Sequence, residues 1–281
     1  MRRASQAPGA VHQYTIQASQ RAGISVDLRS GIGANTQEPS EAGTSQHEGH
    51  MTITLYDLAG AEADRRFSPF CWRIRMALAH KELSVETVAW RCTEKETLAP
   101  TGQGRVPVIV DKGRWVNDSW VIANYLEDTY PERPSLFGGS TGRAVTRFVQ
   151  GWTDTVLHLG LIRCVILDIW QHVHEKDKAY FRTSREERFG TTLEAVQSGR
   201  EDRLPALRQS LQPLRNLLET QPFIGGDKAL YADYTVFGAF QWARCISPFK
   251  LLERDDPVFA WRERMLDLFG GLARESKGYP V

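Results

Sequence analysis

The chain predicts an α/β domain followed by an all-α domain, and three observations carry that prediction. Residues 53–90 read as strand, helix, strand; residues 106–117 hold two short apolar strands around Lys112-Gly113; and beyond a Pro/Gly-punctuated passage at 131–142 the apolar residues recur at helical spacing almost to the end.

Taken in order, Ile53-Thr54-Leu55-Tyr56 is a first strand, 68–82 a helix, and the alternating Val85-Glu86-Thr87-Val88-Ala89-Trp90 a second strand, with a right-handed crossover between them. A short helix over Glu94–Leu98 follows. Val106-Pro107-Val108-Ile109-Val110-Asp111 and Trp115-Val116-Asn117 then form a hairpin, and Asp118-Ser119 starts a helix to about Tyr130. The second half predicts helices over about 143–174, 203–220, 233–244 and 257–268, with Ser247-Pro248-Phe249 as a turn. Pro213 kinks or shortens the third-quarter helix, and the apolar body Val236-Phe237-Gly238-Ala239-Phe240 puts the 233–244 helix at the centre of its domain. The expected organisation is therefore 51–131, a linker at 132–142, and a helical domain at 143–281.

Residues 1–50 are rich in Ser, Gln, Ala and Gly and show no period that would build a core, so they read as a disordered extension. Arg2, Arg3 and Arg21, with no acid before Asp27, loosely resemble a transit peptide, and a start at Met51 accounts for the segment equally well.

Among 281 residues the net charge is only +1, and no basic block is interleaved with aromatics, which argues against nucleic acid as partner. No apolar run is long enough to span a bilayer. The four cysteines, Cys71, Cys92, Cys164 and Cys245, are scattered, which argues against a disulfide framework and for a reducing, cytoplasmic setting. No metal is expected: there is no Cys-x-x-Cys, and His172-x-His174 lacks a second pair and reads as a solvated helix face.

The stretch that carries chemistry is Phe67-Ser68-Pro69-Phe70-Cys71-Trp72-Arg73. A hydroxyl followed by proline starts a helix, Ser68 as N-cap and Pro69 at the first position. The free N–H groups of that first turn and its partial positive charge favour an anion, and a thiolate is one. A small thiol beside Ser68 would thus ionise near neutral pH. By these residues alone Ser68 is equally a cap and nothing more.

The strand–helix–strand–helix–strand–strand–helix order, Val106-Pro107 before the third strand, an acid-Ser pair opening the last helix, and Ala232-Asp233 before a buried helix together resemble the cytosolic glutathione transferases over about residues 52–275. Within them, the Ser68 stretch, Leu230-Tyr231-Ala232-Asp233-Tyr234, Phe240-Gln241-Trp242-Ala243-Arg244 and Ser247-Pro248-Phe249 look most like bacterial lignin beta-etherases of the LigE type and fungal etherase-like glutathione transferases.

The resemblance implies a thioredoxin-like N-terminal domain (βαβαββα), an all-helical C-terminal domain, a homodimer, and glutathione as co-substrate. It makes Ser68 the donor to the glutathione sulfur, Pro107 cis with the Val106 main chain pairing with the cysteinyl unit, Ser119 the receiver of the gamma-glutamyl carboxylate, and Asp118 the partner of its ammonium. Many relatives carry Glu or Gln where Asp118 stands one methylene shorter. Compared with the glutaredoxin Cys-Pro-x-Cys, the first sulfur is replaced by Ser68 and only Cys71 remains, either an accessory thiol or a small buried residue. Asp233 is implied to be a structural cap, although Leu230 stands where many relatives have Ser or Thr. For the second substrate, a small aromatic electrophile, Trp152, Leu159, Arg163 and Trp170 are candidates by bulk and spacing, each equally a core or dimer residue.

What the resemblance implies chemically is attack of a glutathione thiolate on an aromatic electrophile. In the etherase case the substrate is an aryl ether beside a ketone and the leaving group is a phenolate. General conjugation or peroxide reduction, and binding of aromatics without turnover, are the rival activities on the same scaffold.

Overall fold

The computed structural model describes residues 52–280, so the extension expected over 1–50 lies outside the described residues. The N-terminal part runs β1 (Ile53–Leu58), α1 (Pro69–His80), β2 (Val85–Trp90), a 3-10 turn (Lys95–Thr101), β3 (Val108–Asp111), β4 (Arg114–Asn117) and α2 (Ser119–Thr129). The sheet order is β2-β1-β3-β4, with β1 parallel to β2 and β3 antiparallel to both β1 and β4. This is the βαβαββα arrangement. Along β1, Ile53, Leu55 and Asp57 are buried and their neighbours half-buried, the period-2 signature of a covered strand. Pro107 ends the ladder on the N-terminal side of β3; the Val106–Pro107 bond is cis.

The helical part contains α3 (Ser140–Trp152), α4 (His158–His172), α5 (Glu175–Phe189), α6 (Leu193–Gln197), α7 (Arg200–Ser210), α8 (Gln212–Leu218), α9 (Tyr231–Ile246) and α10 (Pro257–Gly271). Between α3 and α4 the chain makes a π-turn at Thr153–Leu157. The single helix expected over 143–174 is thus two helices with an extra residue inserted between them. The helix expected over 203–220 is likewise split at Leu211, and Pro213 sits in the first turn of α8, where its missing N–H costs nothing. Two helices were not legible in advance, α5 and α6. The mean hydropathy of α5 is strongly negative, so it offers no apolar stripe to read.

Every residue of α9 is buried. Its approach to α1 is set by Gly238, where an added Cβ would lie 2.4 Å from the Pro69 carbonyl oxygen. A larger residue there would push the first turn of α1 away. On the far side of α9, Trp261 of α10 packs edge-on against Phe237 and Phe240, with ring centroids 6.4 and 6.1 Å apart. The passage 132–142 is no free linker: Leu136 and Phe137 are buried, and the Leu136 carbonyl accepts the Tyr231 N–H at 2.8 Å.

Asp233 is the third residue of α9, in its first turn, and caps the helix from there by accepting the main-chain N–H of the N-cap residue Leu230, half of a capping box. Its carboxylate accepts the Leu230 main-chain N–H at 3.0 Å and those of Ile224 and Gly225 at 2.7 and 2.9 Å, together with the Trp261 indole N–H at 3.0 Å. One buried acid thereby ties the loop before α9 to the helix after it. Leu230 needs no side-chain oxygen in this arrangement, since it contributes only its N–H.

Candidate active site

Ser68 has extended backbone (φ −68°, ψ 125°) and caps α1, its Oγ accepting the Cys71 N–H at 3.2 Å. Pro69 has no N–H, so the Phe70 N–H is the remaining donor of the first turn. The side chain of Ser68 is largely buried, yet it lines a cleft of about 460 Å³ between the sheet domain and the helical domain.

The floor and near wall of this cleft are Leu58, Phe67, Ser68, Phe70 and Trp90 with the Gly104-Arg105-Val106 segment; the far wall comes from the π-turn, α4, α5 and Trp242 of α9. Arg73 on α1 reaches across to Asp154 in the π-turn at 2.6 Å. Asp154 also lies 3.5 Å from His158 Nδ1, while Nε2 of that ring is buried with no hydrogen-bond partner among the described residues. Phe70 and Trp242 both meet the imidazole edge to face, at 5.3 and 5.8 Å. Burial and then the Arg73 charge, opposed by Asp154, push the His158 imidazole down to about 3. It is neutral at physiological pH, a polar group in the cleft that carries no charge.

Cys71 is fully enclosed behind the helix start, and burial, then the neighbouring Asp57 charge, push its thiol well up. That environment disfavours a thiolate and favours, of the two readings of Cys71, the small buried residue behind the site. Among the described residues no cluster of three or more side chains suited to a metal ion occurs.

Asp118 and Ser119 do not line the cleft itself. The pairing Val108↔Asn117 sets them beside Val106-Pro107, across the end of the hairpin. Asp118 has φ 73°, rare for a residue with a side chain, and its Oδ1 accepts the N–H groups of Trp120 and Val121 at 2.9 and 3.1 Å. Ser119 is buried, and its carbonyl accepts the Tyr231 hydroxyl at 2.8 Å, so α9 fixes the start of α2 as it fixes the start of α1. The main chain of Val106 has no hydrogen bond to another described residue.

Of the four residues expected to wall the second-substrate space, only Leu159 lines the cleft. Arg163 is exposed, Trp152 packs on the core, and Trp170 is covered by Lys178 and Arg182 at 5.1 and 4.6 Å. The face turned to the cleft runs Asp154, His158, Ile162, Ile169. Arg163 and Trp170 stand one residue beyond Ile162 and Ile169, roughly 100° further round the helix. Spacing alone cannot phase a helix that begins in a π-turn.

Sequence reasoning also missed the whole contribution of α5. Asp177, at its N-terminal end, accepts the N–H groups of Cys92 and Thr93 at 2.8 and 3.1 Å and the Thr93 hydroxyl at 2.5 Å, docking the helix on the loop after β2. Phe181, Arg185 and Arg188, spaced by four and three residues, then share the face over the cleft. The available signal was His174 followed by Glu175 and Asp177 with Gly190 at the end, a pattern of caps around a charged helix.

A small mixed sheet in βαβαββα order and an all-helical partner enclose a cleft at a serine-capped helix start, the arrangement of a thioredoxin-like domain joined to a helical one. Comparison with known proteins agrees. The family model described as glutathione S-transferase, N-terminal domain, matches residues 67–129, and that described as glutathione S-transferase, C-terminal domain, matches 144–256. A probable glutathione S-transferase of Oryza sativa subsp. japonica, GSTU6, is 27% identical over 219 residues, 70% of this chain and 80% of that protein. The glutathione transferase GSTFuA3 of Phanerochaete chrysosporium superposes with a TM-score of 0.64 at 26% identity, covering 80% of this chain and 95% of that one. A glutathione S-transferase of Ceriporiopsis subvermispora, CsGST63524, solved in complex with glutathione, gives a TM-score of 0.67 over 78% of this chain and 96% of that one; at 24% identity this likeness bears on the fold. The chain belongs to the glutathione S-transferase superfamily.

Proposed function

We propose that this protein activates glutathione as a thiolate and directs it onto an aromatic electrophile, with an aryl ether beside a ketone as the substrate type the etherase likeness favours. The observation that carries the reading is the position of Ser68: an N-cap hydroxyl on a cleft wall, with the Phe70 N–H and the positive end of α1 beside it. Glutathione supplies the sulfur nucleophile. Ser68 Oγ–H donates to that sulfur once ionised, and the first-turn amide adds a second partial positive charge, so the thiol proton is released to solvent near neutral pH.

Val106 offers an unpaired main chain to the cysteinyl unit, and Asp118 and Ser119 meet the gamma-glutamyl end. Phe70, Trp90, Phe181 and Trp242 form aromatic walls on which a ring can stack. Attack on the carbon next to the ketone forms a C–S bond and breaks the C–O bond, and the departing phenolate is protonated by water. Holding the thiolate and that carbon in line is the remaining contribution.

A homodimer is part of the same proposal. Val121 on α2 and Val145 and Phe148 on α3 are 50%, 57% and 77% exposed, an apolar group on two helices joined by the 2.6 Å Arg143–Asp128 pair. The deciding experiment is turnover with glutathione of an aryl ether ketone and of chlorodinitrobenzene, by the wild type and by Ser68→Ala. Glutathione-dependent product with the wild type, lost in the variant while glutathione still binds, is the expected result. No turnover of either compound would reduce the protein to a binder of aromatics.

A further inference from the structure

The cleft carries a charge arrangement that thiol activation leaves unused. Arg185 and Arg188 of α5 line it, and neither has an ion-pair partner among the described residues. Arg182, one turn earlier on the same helix, is paired with Glu186 and Glu194 at 2.8 and 2.9 Å. Asp177, also on this helix, is taken by Cys92 and Thr93, so none of these acids neutralises Arg185 or Arg188. Asp154, the one acidic residue lining the cleft among the described residues, is already taken by Arg73.

Arg185 is held in place by its guanidinium lying 4.7 Å over the Phe181 ring and by a 2.9 Å bond to Ser184 Oγ. Arg188 leans on Phe189 at 5.7 Å. Stacking on a ring leaves the edge of a guanidinium, with its N–H donors, free to meet an anion. Two cations three residues apart on one helix face repel each other, and a single carboxylate between them removes that repulsion. The aromatic surfaces include Phe70 and Trp242, on either side of the neutral His158.

We infer that the second-substrate site selects an aromatic electrophile bearing a carboxylate, the ring stacking toward Phe70 and Trp242 and the carboxylate received by Arg185 and Arg188. This specificity rests on the transferase reading for its chemistry, but the anion site itself is independent of turnover.

A matched pair of probes tests it: 4-chloro-3,5-dinitrobenzoate and its methyl ester. In both, the glutathione sulfur forms a C–S bond at the chlorinated carbon, chloride leaves with the C–Cl electron pair, and the thiol proton goes to buffer. The full-length wild type is expected to favour the acid over the ester by at least tenfold in kcat/KM. That ratio should fall at least tenfold in R185Q/R188Q, be retained in R185K/R188K, and shrink as sodium chloride is added. Calorimetric titration of both probes without glutathione supplies the second readout. Acid binding that is lost in R185Q/R188Q, with no turnover of either probe by the wild type, keeps the anion site and sinks the transferase reading. Equal binding of acid and ester, or an unchanged acid-to-ester ratio in R185Q/R188Q with only the glutathione KM raised, overturns the inference.

Discussion

The starts of α1 and α9 are built from the same device, a short side-chain oxygen capping free N–H groups, and they do opposite things. At α9 the Asp233 carboxylate is fully enclosed and its four donors all come from the protein. At α1 the Ser68 oxygen takes one donor, the Cys71 N–H, and faces a cleft. A cap whose capacity is filled by its own chain holds structure together. A cap with capacity left over, at a cavity, is available to a ligand.

The comparison breaks most readily at Asp233. Asp233→Ala leaves buried N–H groups of Ile224, Gly225, Leu230 and Trp261 without an acceptor, and each such group costs about 1–3 kcal/mol. A loss of roughly 4 kcal/mol, read by denaturant unfolding, is expected, with poor recovery of folded protein. Ser68→Ala should have the reverse profile. Glutathione-dependent kcat should fall about 100-fold, as on removal of one donor to a developing charge, while unfolding stability drops by only about 1 kcal/mol. Equal damage to stability and rate at Ser68 would erase the distinction between the two caps.

Acid titration sharpens the picture at the cleft. The His158 imidazole is held at about 3 in the folded chain against an ordinary value of 6.5, so below 6.5 the unfolded chain gains a proton that the folded chain refuses. Stability is unaffected above pH 6.5 and falls as pH drops below it, by about 2 kcal/mol from this group at pH 5. His158→Gln should show a correspondingly flatter stability profile between pH 6.5 and 5.

Gly238→Ala probes the support behind the Ser68 cap. A Cβ placed 2.4 Å from the Pro69 carbonyl forces α1 and α9 apart, at a cost of about 1–3 kcal/mol in unfolding stability. The smallest effect concerns the thiols. Burial raises all four, Cys92 to about 11 and Cys245 to about 12, with Cys71 well above its ordinary value and Cys164 raised. Native protein at pH 7.5 should therefore show no fast reaction with a thiol reagent, and all four should react in denaturant.

Much of this was legible along the chain. Ser68-Pro69 marks a helix start, Lys112-Gly113 a hairpin, and the alternation of Val85 to Trp90 a strand, because capping, turn geometry and the two-residue pleat act within a few residues. The order of elements, and with it the resemblance that points to glutathione, follows from such local rules. The cleft itself was not legible. Its far wall comes from α5, whose charged sequence has no apolar stripe, and from a face of α4 rotated by the π-turn. Whether Cys71 is reactive, whether Asp233 caps one donor or four, and whether Arg185 is paired depend on groups brought together from distant parts of the chain. Periodicity states which face of an element is apolar; only packing decides what covers that face and which charges are left facing a cavity.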